Sequence, residues 1–390
     1  MHDGTKVSPK HLSELVANLP CLTYLDLSEG ASNDQVVSAI ATSGSRLRTL
    51  KLRCCPITDA ALFALCLRRG GGDAPCPELQ TLDIRGTAVG KNAVAMVIDK
   101  LTKLRHLLHD DIVRPLAVLH ADDPLVPETT HRLQSMSGYF LPDLPLRESP
   151  HQLFKKLTAY CPNLTSINFV NLCDDASLLC FRHHRLRSIT LAAFRDESAV
   201  TFVGGISPLL SQCGPWVESL SLSEIDDIDI GTIGLLCPEL RNLKVHLYDL
   251  PEFTVHYQQG REGQRPVFLK LEDLELARSD ACRHSSFSSA LTHLLSSATK
   301  LRHLSFTCLH ELNDLVVASV MAVNSLRFLQ TLHMNECNTI SYQAVLEIIL
   351  ASDHLHTVKL MKCKEIYRRD YDSLVRFIKD NYYDLDVTWT

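Results

Sequence analysis

One short pattern, L-x-x-L-x-L, recurs along nearly the whole chain with conservative replacements. Copies begin at Leu22, Leu47, Leu79, Leu104, Leu164, Leu186, Val217, Leu240, Leu271, Leu301, Leu329 and Leu355. The step from Leu104 to Leu164 is double the usual one, and a degenerate copy at Leu133 (LQSMSG) divides it. The thirteen copies therefore repeat about every 28 residues. A fixed period of this length marks a stack of like supersecondary units. Counting the first Leu as offset 0, offsets 3 and 5 alternate as the inward side of a short strand. Some eleven residues later the apolar spacing turns helical, as in Ala61, Leu62, Leu65 and Cys66, or Val345, Leu346, Ile349 and Leu350. One strand-turn-helix unit cannot bury its apolar face alone, so neighbours must stack. The expected fold is an α/β solenoid with strands on the concave side and helices on the convex side.

Composition agrees with a globular chain. Of 390 residues, 45% are apolar and 22% are charged, which excludes a disordered chain, a collagen or a coiled coil. The net charge of −6 argues against nucleic-acid and membrane-surface binding, whose footprint is a basic patch. The start, Met1-His2-Asp3-Gly4-Thr5-Lys6, lacks the apolar core of a signal peptide, and no apolar run approaches the roughly 18 residues needed to span a bilayer. These features point to the cytoplasm, or to the nucleus.

The cysteines fall on the repeat grid. Cys55, Cys337 and Cys363 each stand at offset 8, where the strand gives way to a turn; Cys76, Cys161 and Cys237 each stand three residues before the next copy as Cys-Pro-x-Leu. A small side chain suits the first position, and proline ends a helix at the second. With this pattern, LRTLKLRCCPITD from Leu47 and LQTLHMNECNTI from Leu329 resemble the cysteine-containing leucine-rich repeat. The resemblance implies a ribonuclease-inhibitor-like horseshoe. It extends to F-box/leucine-rich-repeat proteins, the substrate-recognition subunits of Skp-cullin-F-box (SCF) ubiquitin ligases, and so implies a Skp-type adaptor and a cullin as partners. An F-box is a helical module of about 45 residues; the first repeat strand here already begins at Leu22, and no F-box is visible. Inhibitor and GTPase-activator scaffolds of similar build favour Asn at the turn position. That position holds Gly30, Cys55, Thr87, Phe194, Ile225, Cys337 and Cys363 instead.

The expected organisation is a capping helix within 1–21, repeats over 22–369 and a C-terminal cap over 370–390. Ser8-Pro9 is a helix start, and Leu12, Leu15, Val16 and Leu19 give that helix one apolar face. It is either a simple cap or the last part of an earlier repeat that followed another module. Leu374, Val375 and Ile378 suggest a final helix, and Leu385, Val387 and Trp389 a closing strand. The stretches 109–130 and 248–270 are lengthened connections, read as drift in tolerant loops.

No motif for catalysis emerges. Gly70-Gly71-Gly72 and Gly90-Lys91-Asn92 lack the rest of a phosphate loop, and nucleophile-elbow and zinc-protease motifs are missing from the sequence. Cys173, Cys180, His183 and His184 have no zinc-finger spacing. His109-Asp110-Asp111 and His120 with Asp122 and Asp123 read as solvated loop charges. The chain reads as a non-enzyme without cofactor or metal, binding neither nucleic acid nor membrane.

What remains is a surface. Offsets 2, 4 and 6 should face outward from each strand on the concave side. Early copies then carry a small basic patch with one acid, formed by Lys51, Arg53, Asp83 and Arg85. Middle copies carry small polar residues such as Ser188, Thr190, Ser219 and Ser221, and late copies carry Lys244, His246, His303, His333 and Lys359. Such a face suits a protein or peptide. The functional expectation is a recognition scaffold similar to the substrate-binding part of an SCF ligase; the alternative is a structural or regulatory scaffold unconnected to ubiquitin.

Overall fold

The computed structural model describes residues 8–30, 32–68, 74–123, 127, 129–140, 149–172, 174–193, 200–225, 227–247, 255–256, 267–278, 287–381 and 383–390. The chain divides into two compact units, Met1–Phe169 and Val170–Thr390.

In the first unit, β1 (Tyr24–Asp26), β2 (Thr49–Lys51), β3 (Thr81–Asp83) and β4 (His106–Leu108) form a parallel sheet in sequence order. β5 (Ser135–Tyr139) and β6 (Ser166–Val170) pair with each other. The helices are α1 (Pro9–Ala17), α2 (Asp34–Ser43), α3 (Asp59–Cys66), α4 (Lys91–Lys100), α5 (Val113–Leu119) and α6 (Pro150–Tyr160).

In the second unit, β7 (Ser188–Ala192), β8 (Ser219–Ser223), β10 (Asn242–Leu247), β12 (Asp273–Arg278), β13 (His303–Thr307), β14 (Thr331–Asn335), β15 (Thr357–Met361) and β16 (Asp386–Trp389) are parallel neighbours in that order. Two short strands, β9 (Ile228–Asp229) and β11 (Val255–His256), pair apart from this sheet. The helices are α7 (Asp175–Leu179), α8 (Ser207–Cys213), α9 (Ile230–Leu236), α10 (Phe287–Ser297), α11 (Asp314–Met321), α12 (Tyr342–Ala351) and α13 (Arg368–Asp380). The fold of each unit is an α/β leucine-rich-repeat solenoid. Every one of the thirteen motif copies, the degenerate one at Leu133 included, opens a strand at its offset 2.

The core is built from offsets 0, 3 and 5 with the inward helix residues. Leu47, Leu50 and Leu52 are fully buried, as are Leu329, Leu332 and Met334. In α3 the buried residues are Ala61, Leu62, Leu65 and Cys66. The expected face of α12 is rotated: Ala344, Val345, Ile348 and Ile349 are buried, while Leu350 is half exposed. Ile348 lies one turn from both Ala344 and Val345, so this set makes the tighter stripe and Leu350 falls past its edge. In α1 only Val16 is buried, and Leu15, with Leu19 just past the helix, is exposed.

Two columns of bonds lock one repeat to the next. On the strand side, offset 7 is left-handed in Glu29, Cys54, Gly86, Asn171, Glu224, Cys308, Glu336 and Lys362, with φ between 52° and 65°. Non-glycine residues occupy this region at a cost of roughly 1 kcal/mol or more. In most of these copies the offset-7 amide is thereby aimed at the offset-6 carbonyl of the following repeat; the Gly86 amide instead donates to the Asp110 carboxylate at 3.3 Å. Glu29 N–H donates to Arg53 O at 2.7 Å, Cys54 to Arg85 O at 2.8 Å, Cys308 to Asn335 O at 2.8 Å and Glu336 to Met361 O at 2.8 Å. On the helix side, an Asp at the first helical position reaches the next repeat's N-cap residue. Asp34 accepts from Thr58 N–H at 2.8 Å and its hydroxyl at 2.7 Å, Asp175 from Thr201 N–H at 2.8 Å, and Asp314 from Ser341 N–H at 2.8 Å.

The six grid cysteines are buried. The offset-8 thiols reach the offset-5 carbonyl of the preceding repeat: Cys55 to Leu27 O at 3.1 Å, Cys337 to Phe306 O at 3.7 Å and Cys363 to Met334 O at 3.8 Å. Burial pushes Cys76 up to about 11 and Cys161, Cys237 and Cys337 up to about 12. These thiols stay protonated at neutral pH and are weak nucleophiles.

Candidate functional site

The expected early patch is not a free basic surface. Parallel register sets Asp26 beside Lys51 and Lys51 beside Asp83. Lys51 Nζ lies 3.4 Å from Asp26, and Arg53 lies 2.9 Å from Glu29. Asp83 is 3% exposed; Arg85 clamps it with two bonds, Nε at 3.0 Å and Nη2 at 2.7 Å. Hydrogen bonds from Ser28, then Lys51, hold the Asp26 carboxyl below its ordinary value. Every cation of the patch therefore has its own carboxylate, supplied by offsets 4 and 7 of the preceding copy or offset 4 of the same one. Asp26 and Glu29 were the residues that sequence reasoning missed.

The late residues come together within the second unit. Asn242, Lys244, Asp273, Glu275, His303, Ser305, Thr331 and His333 line a groove of about 290 Å³; Leu243, Leu274 and Leu304 between them turn their side chains into the core. Register places Lys244, Glu275, Ser305, His333 and Lys359 in a single row across β10, β12, β13, β14 and β15. Neighbouring strands sit about 4.8 Å apart, so that row is roughly 19 Å long.

The two ends of the row differ. At one end Glu275 receives Lys244 Nζ at 2.7 Å and His246 Nε2 at 3.0 Å. Burial alone would raise the Glu275 carboxyl, but Lys244 and His246 outweigh it and hold it below the usual range. In the middle, His303 Nδ1 is 2.8 Å from Thr331 Oγ1 and its Nε2 is 3.7 Å from Asp273. At the other end, burial first, then the Lys359 ammonium and His303, lower His333. Among the described residues Lys359 has no carboxylate within ion-pairing distance. Asp273 and Glu275 went unnoticed in the sequence because they belong to the LEDLEL copy, which carries no cation; offsets 2 and 4 counted from Leu271 give both.

The histidine groups elsewhere also needed the structure. His120 is not a solvated loop residue: it is 5% exposed, stacked on Tyr160 with centroids 3.7 Å apart. Its Nδ1 meets Asp123 at 2.8 Å and its Nε2 meets His131 Nε2 at 2.8 Å. Burial, then His120, lower His131 to about 4. His109 Nδ1 lies 2.7 Å from Asp111 O, inside its own turn. Cys173, Gly70-Gly71-Gly72, Phe194 and most of 248–270 lie outside the described residues. Among the described residues no group of three or more His, Cys, Asp or Glu side chains is arranged to hold a metal, and no helix is long and apolar enough to cross a membrane.

Residues 46–66 match the family described as "Leucine Rich repeat", a segment running from just before β2 to the end of α3. No curated protein matches the sequence. Among solved structures, the chain is similar to one from the crystal structure of the Rad7 and Elc1 complex in yeast. The identity is 14% and the TM-score 0.50, covering 95% of this chain and 81% of that one. It is also similar to an internalin (inlF) from Listeria monocytogenes, at 16% identity and a TM-score of 0.41, covering 98% of this chain and 88% of that one. The repeat periodicity, the strand register and the first of these likenesses agree on one class: this is a leucine-rich-repeat protein by fold.

Proposed function

We propose that the chain is a non-catalytic scaffold that recognises another protein through the strand face of its second unit. The observation that carries this is the row of polar and charged side chains that strand register sets side by side from Lys244 to Lys359. Such faces on rigid strands are the usual binding surfaces of repeat proteins. The role that best fits is substrate recognition in ubiquitin-dependent degradation. Two things support it: the cysteine-type repeat and the likeness to a chain from the Rad7 and Elc1 complex. A Skp-type adaptor and a cullin would be the partners, reached through a module other than the repeats.

Purification of the full chain from cells under native conditions, followed by mass spectrometry, tests this. Recovery of a Skp-type adaptor with a cullin supports the ligase role. A reproducible partner set with no ligase component leaves a scaffold and ends the ubiquitin reading. A chain that captures no protein ends both.

A further inference from the structure

We propose that the Ser305–His333–Lys359 end of the row is a docking point for an acidic polypeptide segment, an Asp or Glu side chain of the partner seating between His333 and Lys359. This deepens the scaffold reading and rests on it.

The argument is one of charge left over after internal pairing. Along the row the chain satisfies its own charges at one end only. Glu275 is held by both Lys244 and His246, and Asp273 faces His303. Beyond Ser305 the acids stop. His333 and Lys359 are directly opposed residues on β14 and β15, with Thr388 as the next neighbour on β16. The nearby carboxylate on the β14 turn, Glu336, is engaged by Lys362 at 3.0 Å. Both His333 and Lys359 are half-buried, so an anion between them is partly shielded from water and salt, where an ion pair is stronger than at an open surface. The field there already opposes a proton on His333, because burial and Lys359 both disfavour it. A carboxylate would relieve that field while accepting from the Lys359 ammonium, the imidazole and the Ser305 hydroxyl. The early patch offers the contrast: there each cation is already matched, and no such vacancy of charge is left.

A polypeptide fits better than a small anion because the row continues for about 19 Å across five parallel strands, long enough for several extended residues. Its polar middle, Asp273 and His303 with Thr331, suits hydrogen bonds from a peptide backbone.

The test uses the full chain and a fluorescein-labelled ten-residue peptide of alternating Glu and Gly/Ser, read by fluorescence anisotropy at about 0.1 M salt, where charges more than about 10 Å apart are largely screened. The same peptide with Gln for Glu is the neutral comparison. Expected is binding of the Glu peptide at least tenfold tighter than the Gln peptide. Lys359→Glu should weaken it tenfold or more, Lys359→Ala about fivefold, and His333→Gln about threefold. Lys379→Glu, the same charge change on the exposed side of α13, should leave it within twofold. Thermal melts confirm that each variant folds, and Lys359→Ala stands in if the reversal does not. Equal binding of Glu and Gln peptides, no binding of either, or an equal loss in Lys379→Glu overturns the proposal. Natural partners captured equally by the wild type and Lys359→Ala would also overturn it while leaving the scaffold reading intact. Capture of no partner at all defeats the scaffold reading itself.

Discussion

The first strands of the N-terminal unit and the middle strands of the C-terminal unit present the same outward columns, yet they use charge differently. In β1 to β3 each cation meets an acid one strand back or two residues away, and the outward face is electrostatically closed. In β10 to β15 the acids are concentrated in one copy, on β12, and the Lys359 ammonium stands three strands past it. Alternating charge on adjacent parallel strands stabilises modestly and leaves little to offer a ligand. A charge set beyond its partners adds nothing to the fold and gives direction to a surface. What matters for recognition is therefore the order in which charges follow one another across the strands, not how many there are.

Three measurements can break or sharpen that contrast. The largest effect should come from the deepest ion pair, Arg278 with Glu311, both within a tenth of full burial and bonded to each other. Removing one partner of a buried pair costs about 3–5 kcal/mol. Glu311→Ala should lower the unfolding free energy of the C-terminal unit by that amount, and a loss below 1 kcal/mol would show that the pair is dispensable. Next comes acid. His131 titrates at about 4 in the folded chain against an ordinary 6.5, so the unfolded state binds the proton first. Its contribution is present above pH 6.5 and is lost as pH falls towards 4, amounting to about 2 kcal/mol by pH 5. Urea melts at pH 7 and pH 5 should show the N-terminal unit weakening, and His131→Phe should flatten that slope. Unchanged pH dependence in the variant would exclude this group as its source. The smallest effect belongs to the exposed pair Arg53–Glu29. Arg53→Ala should cost less than about 0.5 kcal/mol, and a double-mutant cycle with Glu29→Ala measures the coupling directly.

How far the sequence speaks depends on whether a property repeats. Strand starts, the buried offsets 0, 3 and 5 and the packing of the grid cysteines all recur every 28 residues or so, and each is readable from a single copy. The left-handed turn also recurs, but its occupants conceal it: Gly86 and Asn171 advertise positive φ, whereas Glu29, Cys54, Glu336 and Lys362 do not. The native bond to the next repeat, not local preference, holds them there. The groove was half legible. Offset counting found Lys244, His246, His303, His333 and Lys359, but the state of each charge depends on which residue the register sets opposite it. Asp273 and Glu275 decide which end is open, and they sit in a copy whose outward residues are otherwise unremarkable. His120 and His131 meet across a connection with no periodicity, so nothing short of coordinates could pair them.

The recurring bond from an offset-7 amide to the next offset-6 carbonyl makes the junctions that carry it chemically alike. Loss of a complete copy, such as residues 329–354, would bring the Cys308 amide to the carbonyl of Met361 in place of Asn335 and restore the same junction. Loss of half a copy would set strand against helix and leave both columns unmatched. A chain built in this way can lengthen or shorten by duplication and deletion in units of one repeat, while its ends, its groove and its charge order change independently.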